Sequence, residues 1–264
     1  MNAPLASGLT AGSVPAEPAV AIRDLAKSFG GRTVLAGLGF AVAAGEALSL
    51  IGANGSGKST LLRCLIRLTE PDAGSVRIAG REVTSLSARD LRRFRSDVGV
   101  VWQKHNLVPR LSALTNVVHG VQARMSGPRS WYQSLAPAEV RAEALRCLAR
   151  VDLADRAEQR VSSLSGGQSQ RVAIARMLMQ RPRLILADEP DASLDPQSGE
   201  DVMRLLSGLA REEGLTLIVV SHRLEHATAF SDRIIGLADG RIALDMPAAG
   251  ADPDALRRFF DHHD

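Results

Sequence analysis

Ile51-Gly52-Ala53-Asn54-Gly55-Ser56-Gly57-Lys58-Ser59-Thr60 is the stretch whose reading decides the fold. It follows the short apolar run Ala47 to Ile51 and precedes an apolar helical pattern at Leu61, Leu62, Leu65 and Ile66. Gly52, four residues, then Gly57-Lys58-Ser59 is the phosphate-binding loop pattern in a strand-to-helix setting. Glycines let the backbone turn tightly and aim several N–H groups at one anion, while the following helix turns its positive end to the same place. In such a loop Lys58 reaches the terminal phosphates of a nucleotide and the Ser59 hydroxyl holds Mg²⁺. The loop alone leaves open which phosphate chemistry follows.

Composition bounds the answer. The chain has 264 residues, 45% of them hydrophobic, and a mean hydropathy near zero, enough for one sizeable domain with subdomains. Net charge is only +3 although the sequence pI is 9.3, and that balance argues against a dedicated nucleic-acid binder with a clustered basic stripe. Positive charge is nearly all arginine, since the lysines are Lys27, Lys58 and Lys104 alone. Cys64 and Cys147 lie far apart in sequence and read as free buried thiols rather than a disulfide or metal site. No apolar stretch approaches the ~20 residues needed to cross a bilayer. Residues 1–18, rich in Ala, Pro, Gly and Ser, make a poor secretion signal and read as a disordered N-terminal extension.

Upstream of the loop, Val20 to Leu25 and Val34 to Val42 read as antiparallel strands joined at Phe29-Gly30-Gly31-Arg32. Phe29 at the strand end either stacks on a nucleotide base or packs as a core ring. Downstream come a turn at Pro71 to Gly74, a strand from Ser75 to Ile78, and a short helix capped by Ser87 with Asp90. Its Arg89, Arg92, Arg93 and Arg95 read as a solvated face rather than a nucleic-acid or lipid patch. Asp97 to Trp102 is a strand with Gln103 at its end, a metal or water contact or merely a strand cap. From Lys104 to Gln180 helical periodicity replaces strand patterns, so a helical subdomain is expected there. Its clearest helix is expected to begin at Pro137 and to carry Val140, Ala144, Leu148 and Val151 on one face. Trp131 and Tyr132, before it, mark either a partner surface or local packing.

Two further stretches carry chemistry. Leu164-Ser165-Gly166-Gly167-Gln168 precedes an apolar-periodic helix and repeats the logic of the phosphate loop, with exposed N–H groups at a helix N-terminus. If one nucleotide cannot reach both anion sites, the second serves a nucleotide held by another copy. Leu184 to Ala187 suits a buried parallel strand ending in Asp188-Glu189-Pro190. Adjacent acids leave a strand in different directions, so Asp188 is expected to orient Mg²⁺ and Glu189 to polarise the water attacking a γ-phosphate. Ser193-Leu194-Asp195-Pro196 forms a turn before the next helix, and Leu215 to Val220 is another strand with Ser221-His222 at its end. His222 there contacts the γ-phosphate or the attacking water. His226, His262 and His263 have no comparable setting, and His262-His263 reads as a solvated tail.

The ordered set Phe29, Gly52 to Thr60, Gln103, Leu164 to Gln168, Leu184 to Glu189, Ser193 to Asp195 and His222 resembles the nucleotide-binding subunit of an ABC transporter, over Val20 to Asp245. The resemblance implies an α/β P-loop NTPase fold of ABC type over 19–264: a mostly parallel core sheet flanked by helices, an antiparallel β subdomain and a helical subdomain over about 104–180. It implies a head-to-tail homodimer. Each ATP is held between one subunit's Gly52, Ala53, Asn54, Gly55, Ser56, Gly57, Lys58, Ser59 and Thr60 and the other's Ser165, Gly166, Gly167 and Gln168. Phe29 stacks on adenine, Gln103 touches Mg²⁺ and the attacking water, Asp195 lies at the dimer seam, and the helical subdomain docks a membrane permease.

More narrowly, Asn106 to Ser112, Asn116 to Gly120, the insertion with Trp131, Asp188 to Pro196 and Asp232 to Leu237 are similar to the phosphonate import ATP-binding proteins. Asp191 departs from that pattern, which tends to be apolar there, and Ser221-His222-Arg223-Leu224 replaces Leu-His-Gln-Val. The resemblance implies an ATPase peripheral to the cytoplasmic side of the inner membrane, served indirectly by a substrate-binding protein and using no nucleic acid. Import of another solute such as phosphate, phosphite or a polar amino acid is the alternative; a soluble assembly-factor ATPase is another.

Overall fold

The computed structural model describes residues 17–103, 106–125 and 127–261. The lead-in over 1–16, Lys104 and the His262-His263-Asp264 tail lie outside them. The described chain begins with a hairpin of β1 (Val20–Phe29) and β2 (Arg32–Val42). Gly30 and Gly31 turn it at φ 55° and 82°, the left-handed pair that lets a two-residue turn follow the twist of its strands. β3 (Ala47–Ile51) is buried at all five positions, because an apolar run without polar alternation needs cover on both faces. Its loop delivers the chain into α1 (Lys58–Leu65), which buries Leu61, Leu62 and Leu65.

β4 (Ala73–Ile78) returns to pair antiparallel with β1, and β5 (Arg81–Glu82) pairs with β4. α2 (Ala88–Ser96) starts at Ser87, whose hydroxyl accepts the Asp90 N–H at 3.2 Å, as its sequence spacing predicts. Arg89, Arg92 and Arg93 are exposed, whereas Arg95 folds inward to donate to the Ile66 carbonyl at 2.9 Å. β6 (Val98–Val101) follows.

Between β6 and β7 (Leu184–Asp188) the regular elements among the described residues are all helical, with one isolated bridge, Ser112–Arg160. α3 (Ala113–Val118), α4 (Ala138–Ala149) and α5 (Gly166–Leu178) pack together there. Val140, Ala144, Leu148 and Val151 are buried on the expected face of α4. Pro137 is the cap of that helix rather than its first turn: its carbonyl accepts from Arg141 N–H at 3.1 Å, yet its ψ of 150° is extended. One continuous core runs from Val118, Leu148 and Ile174 to Ile185 and Val219 of the sheet, which fixes the helices against it.

The remaining elements are α6 (Pro196–Glu212), β8 (Thr216–Val220), α7 (Leu224–Phe230), β9 (Arg233–Ala238), β10 (Arg241–Pro247) and α8 (Pro253–Asp261). The larger sheet has six strands in the order β10-β9-β3-β8-β7-β6, parallel except for β10; the smaller is β2-β1-β4-β5, antiparallel. β10 is the edge, alternately exposed and half-buried and ending in Pro247, as an edge strand tolerates. Ala36 N–H bonds the Gly240 carbonyl at 2.8 Å and ties the small sheet to the large one. This order sets β3 beside β8 and β8 beside β7, so the loops after all three open at one edge.

Candidate active site

The loop after β3 closes on itself through Lys58. Its ammonium donates to the Gly52 and Ala53 carbonyls, both at 2.7 Å, and to Ser56 Oγ at 3.3 Å. Gly52 and Gly57 have no room for a side chain. A Cβ on Gly52 would lie 2.2 Å from the Leu237 carbonyl oxygen, and one on Gly57 2.8 Å from Val34 O, at φ 142° and 104°. α1 starts at Gly57 with no side-chain cap, whereas α2, α3, α5 and α6 are capped by Ser87, Ser112, Ser165 and Asp195. A helix start without a side-chain cap is a place an anion fits.

A cleft of about 350 Å³ lies over this loop, lined by Phe29, Arg32, Val34, Asn54, Gly55, Gly57, Lys58, Ser59, Thr60 and Glu189. Phe29 is 51% exposed at its mouth, with Lys27 Nζ 5.2 Å from the ring centre, which excludes the core-packing reading of that ring. Arg32 and Val34 were not anticipated from sequence. The available signal was their place on the strand leaving the Gly30-Gly31 turn, beside Phe29.

The strand ends complete the floor. Ser59 Oγ donates to Asp188 Oδ1 at 2.8 Å. Burial pushes the Asp188 carboxyl above its ordinary range; the Ser59 hydroxyl pulls it back and neighbouring Glu189 adds to the rise. Glu189 leaves β7 at φ 49°, a left-handed backbone uncommon for a residue that carries a side chain, and its N–H bonds Val220 O at 3.2 Å. His222 Nε2 meets Glu189 Oε1 at 2.5 Å. Ser221 N–H bonds Leu50 O at 3.1 Å, which draws the end of β8 to the phosphate loop. The two acids thus diverge as expected, one inward to Ser59 and one outward to His222.

Among the described residues no group of three or more His, Cys, Asp or Glu side chains could hold a metal. Ser59 and Asp188 instead offer two hard oxygens side by side. That set fits Mg²⁺, which keeps several waters and completes its shell with phosphate oxygens rather than a protein cage.

Other predicted residues sit elsewhere. Gln103 is exposed, two positions past the end of β6, the strand beside the one carrying Asp188. Ser165, Gly166, Gly167, Gln168 and Asp195 do not line the cleft. Ser165 Oγ accepts the Gln168 N–H at 3.2 Å and Gln168 Oε1 accepts the Ser165 N–H at 3.0 Å, a reciprocal cap that stiffens the start of α5. A Cβ on Gly166 would lie 3.1 Å from Leu194 Cδ2, so this turn packs against the turn that leads to Asp195. Asp195 caps α6 through Ser198 N–H at 3.0 Å, and hydrogen bonding from the Ser198 side chain and then its N–H holds the Asp195 carboxyl below the usual range. Trp131 and Tyr132 are half-exposed on the helical side, with the Trp131 carbonyl bonded to His119 Nε2 at 2.7 Å.

One expectation is corrected. His226 does have a built setting: it is buried, with Nδ1 2.7 Å from Asp191 Oδ2. Cys64 and Cys147 are free and buried, as expected, and burial pushes both thiols up to about 11.

Comparison with known proteins points the same way. Residues 35–192 match the protein family described as ABC transporter. The chain is 45% identical to the phosphonates import ATP-binding protein PhnC of Nocardia farcinica, over 93% of this chain and 91% of that one. It is 48% identical to the phosphate-import ATP-binding protein PhnC of Mycolicibacterium smegmatis, over 89% of each. The dimeric post-hydrolysis structure of the ATP-binding cassette MJ0796, bound to ADP and Pi, superposes with a TM-score of 0.76 at 36% identity, over 88% of this chain and all of that one.

Proposed function

The chain belongs to the ABC transporter family, an ATPase that couples hydrolysis to transport, and from that premise we propose that it powers import of a phosphonate or a closely related organophosphorus anion. The observation that carries the substrate class is the 45% identity, over nearly the whole of both chains, to a relative named for phosphonate import. The relative named for phosphate import is as similar and makes phosphate the second reading. Both are tetrahedral phosphorus oxyanions, and the chain itself need not touch either.

In this reading the phosphates lie on the N–H groups of Gly52 to Thr60 at the uncapped start of α1, with Phe29 against the base. Lys58 exchanges one of its loop carbonyls for a phosphate oxygen. Mg²⁺, held by Ser59 and Asp188 with Gln103 nearby, would neutralise phosphate charge when bound. Glu189 takes the proton of the attacking water, and His222 holds Glu189 in place while itself facing the γ-phosphate. The cleft of one subunit is completed by Ser165 to Gln168 and Asp195 of a second copy in a head-to-tail dimer. The helical segment of 104–180 docks a membrane permease, so the chain sits at the cytoplasmic face of the membrane, fed indirectly by a substrate-binding protein. Among the described residues no helix is long and apolar enough to cross a membrane.

Glu189→Gln is the test. Loss of the base lowers hydrolysis about 10²- to 10⁴-fold while ATP binding survives. The same variant, used as bait in gently solubilised membranes, retains a polytopic permease. The wild-type complex is then assayed for ATPase stimulation by binding protein loaded with phosphonate or with phosphate. Stimulation by phosphonate alone supports the first reading and by phosphate alone the second. Recovery of soluble enzymes only, with no permease, overturns both.

A further inference from the structure

Two acid–histidine contacts join the same two segments of chain. Glu189 meets His222 at 2.5 Å, and two residues further along one segment and four along the other, Asp191 meets His226 at 2.7 Å. They differ in setting. The Glu189 and His222 side chains are 17% and 31% exposed, whereas those of Asp191 and His226 are 4% and 7% exposed. We infer that Asp191 and His226 are a buried positioning pair that holds Glu189 and His222 in register for hydrolysis. The inference rests on the catalytic roles proposed above for Glu189 and His222.

The backbone explains why a second contact is needed. Glu189 sits at φ 49°, and a side-chain-bearing residue stays in that region only where its surroundings over-determine it. Upstream, Glu189 is fixed by its N–H on Val220 O; downstream, its carbonyl accepts the Ala192 N–H at 3.3 Å across a turn that contains Asp191. Asp191 is fixed from three directions. Its Oδ2 accepts from His226 on α7, and Arg223 Nε approaches the same oxygen at 3.9 Å. Its carbonyl accepts the Leu194 N–H at 3.2 Å, in the turn that ends in Asp195.

α6 closes over the contact. A Cβ on Gly199 would lie 3.3 Å from Asp191 Cβ and 3.4 Å from Arg223 Nη1, so only a bare backbone covers the pair at this distance. The His226 ring lies edge-on to Phe230 with centroids 5.8 Å apart, which limits its rotation. An apolar contact would fill the same space. A hydrogen-bonded acid and imidazole add direction, and removing either strands the other in a buried site. Through Asp191 the turn carrying Glu189 and the turn carrying His222 move as one unit, together with the start of α6.

The test uses the purified full-length chain and the variants His226→Leu, Asp191→Asn and Asp191→Leu/His226→Leu. His226→Leu leaves a buried carboxylate without its partner, so its loss of rate can come from lost folding. The double variant leaves no buried polar group unpaired and carries the decision. It melts at or above the wild-type temperature and has a KM for ATP within about twofold of wild type, but its kcat falls about tenfold or more. Asp191→Asn, whose amide oxygen accepts the same imidazole N–H, recovers kcat to within about threefold. A double variant with wild-type kcat, or one whose loss lies in KM, overturns the inference. Glu189→Gln runs alongside: if it hydrolyses ATP normally, the proposed catalytic base is wrong, an outcome separate from the behaviour of the double variant.

Discussion

Asp188 is held against its own solvation. Burial raises its carboxyl above the ordinary 3.8, and only the Ser59 hydroxyl and the more distant Arg63 and Lys58 offset this. An acid whose folded value is raised stabilises the fold in its neutral form. That contribution is complete below 3.8 and is lost as pH rises through the raised folded value, so at neutral pH the ionised group costs stability. Asp188→Asn therefore raises the melting temperature of the nucleotide-free chain at pH 7, by about 2–4 °C for each kcal/mol recovered, and removes the loss of stability just above pH 3.8. Mg²⁺ with nucleotide should reverse the order of the two proteins. Thermal scans of both proteins from pH 4 to 8, with and without Mg²⁺ and ATP, check this; a variant that melts lower without nucleotide sinks the reading. At this scale Lys58, Ser59, Asp188, Glu189 and His222 were legible because each stands at a strand end or helix start that sequence marks. The Asp191–His226 contact was not. Its partners are 35 residues apart, and nothing in the spacing of an isolated histidine announces a carboxylate brought to it by strand order.

Elements were readable where periodicity or capping is local. β3 matches its apolar run, and the start of α2 carries the serine cap its spacing predicts, whereas the start of α5, read as exposed N–H groups, carries the Ser165–Gln168 capping box. The fit between elements was not readable, and Gly120 shows why. It follows α3 in a turn that lies against the end of α5, and a Cβ there would be 2.3 Å from Arg176 O and 2.7 Å from Met179 Cβ. Backbone cannot yield as a side-chain tip can, so Gly120→Ala forces α3 and α5 apart at a cost of about 1–3 kcal/mol. The cleft lies on other elements, so ATP affinity should hold while the melting temperature falls. Nucleotide titration and thermal melting of the same preparation separate the two. A weakened affinity with an unchanged melting temperature would show that this packing serves the site rather than the fold. The Pro137 boundary is a smaller lesson: proline's fixed φ suits either a cap or a first turn, and only ψ distinguishes them.

For the molecule as a whole, strand order decides what one chain can do alone. Placing β3 between β8 and β9 gathers the phosphate loop, Asp188, Glu189 and His222 at one sheet edge, while the turn Ser165 to Gln168 and the turn ending in Asp195 lie outside that cleft. In the proposed head-to-tail pair each cleft takes its second half from the partner. This arrangement predicts complementation. Lys58→Ala disables the phosphate loop but leaves the Ser165 turn intact; Ser165→Arg blocks that turn but leaves the loop intact. Neither homodimer has a complete site, so each variant alone should be nearly silent, with ATP binding retained by Ser165→Arg. A mixed dimer pairs the intact loop of one subunit with the intact turn of the other and holds one complete site. At equal proportions half of the dimers are mixed, so the mixture should regain about a quarter of the wild-type rate if sites act independently. Steady-state ATPase assays on the separate and mixed proteins, with mixed dimers verified by differential tags, measure it. A site contained within one chain gives a different result: Ser165→Arg alone would hydrolyse ATP undiminished, and mixing would only dilute it.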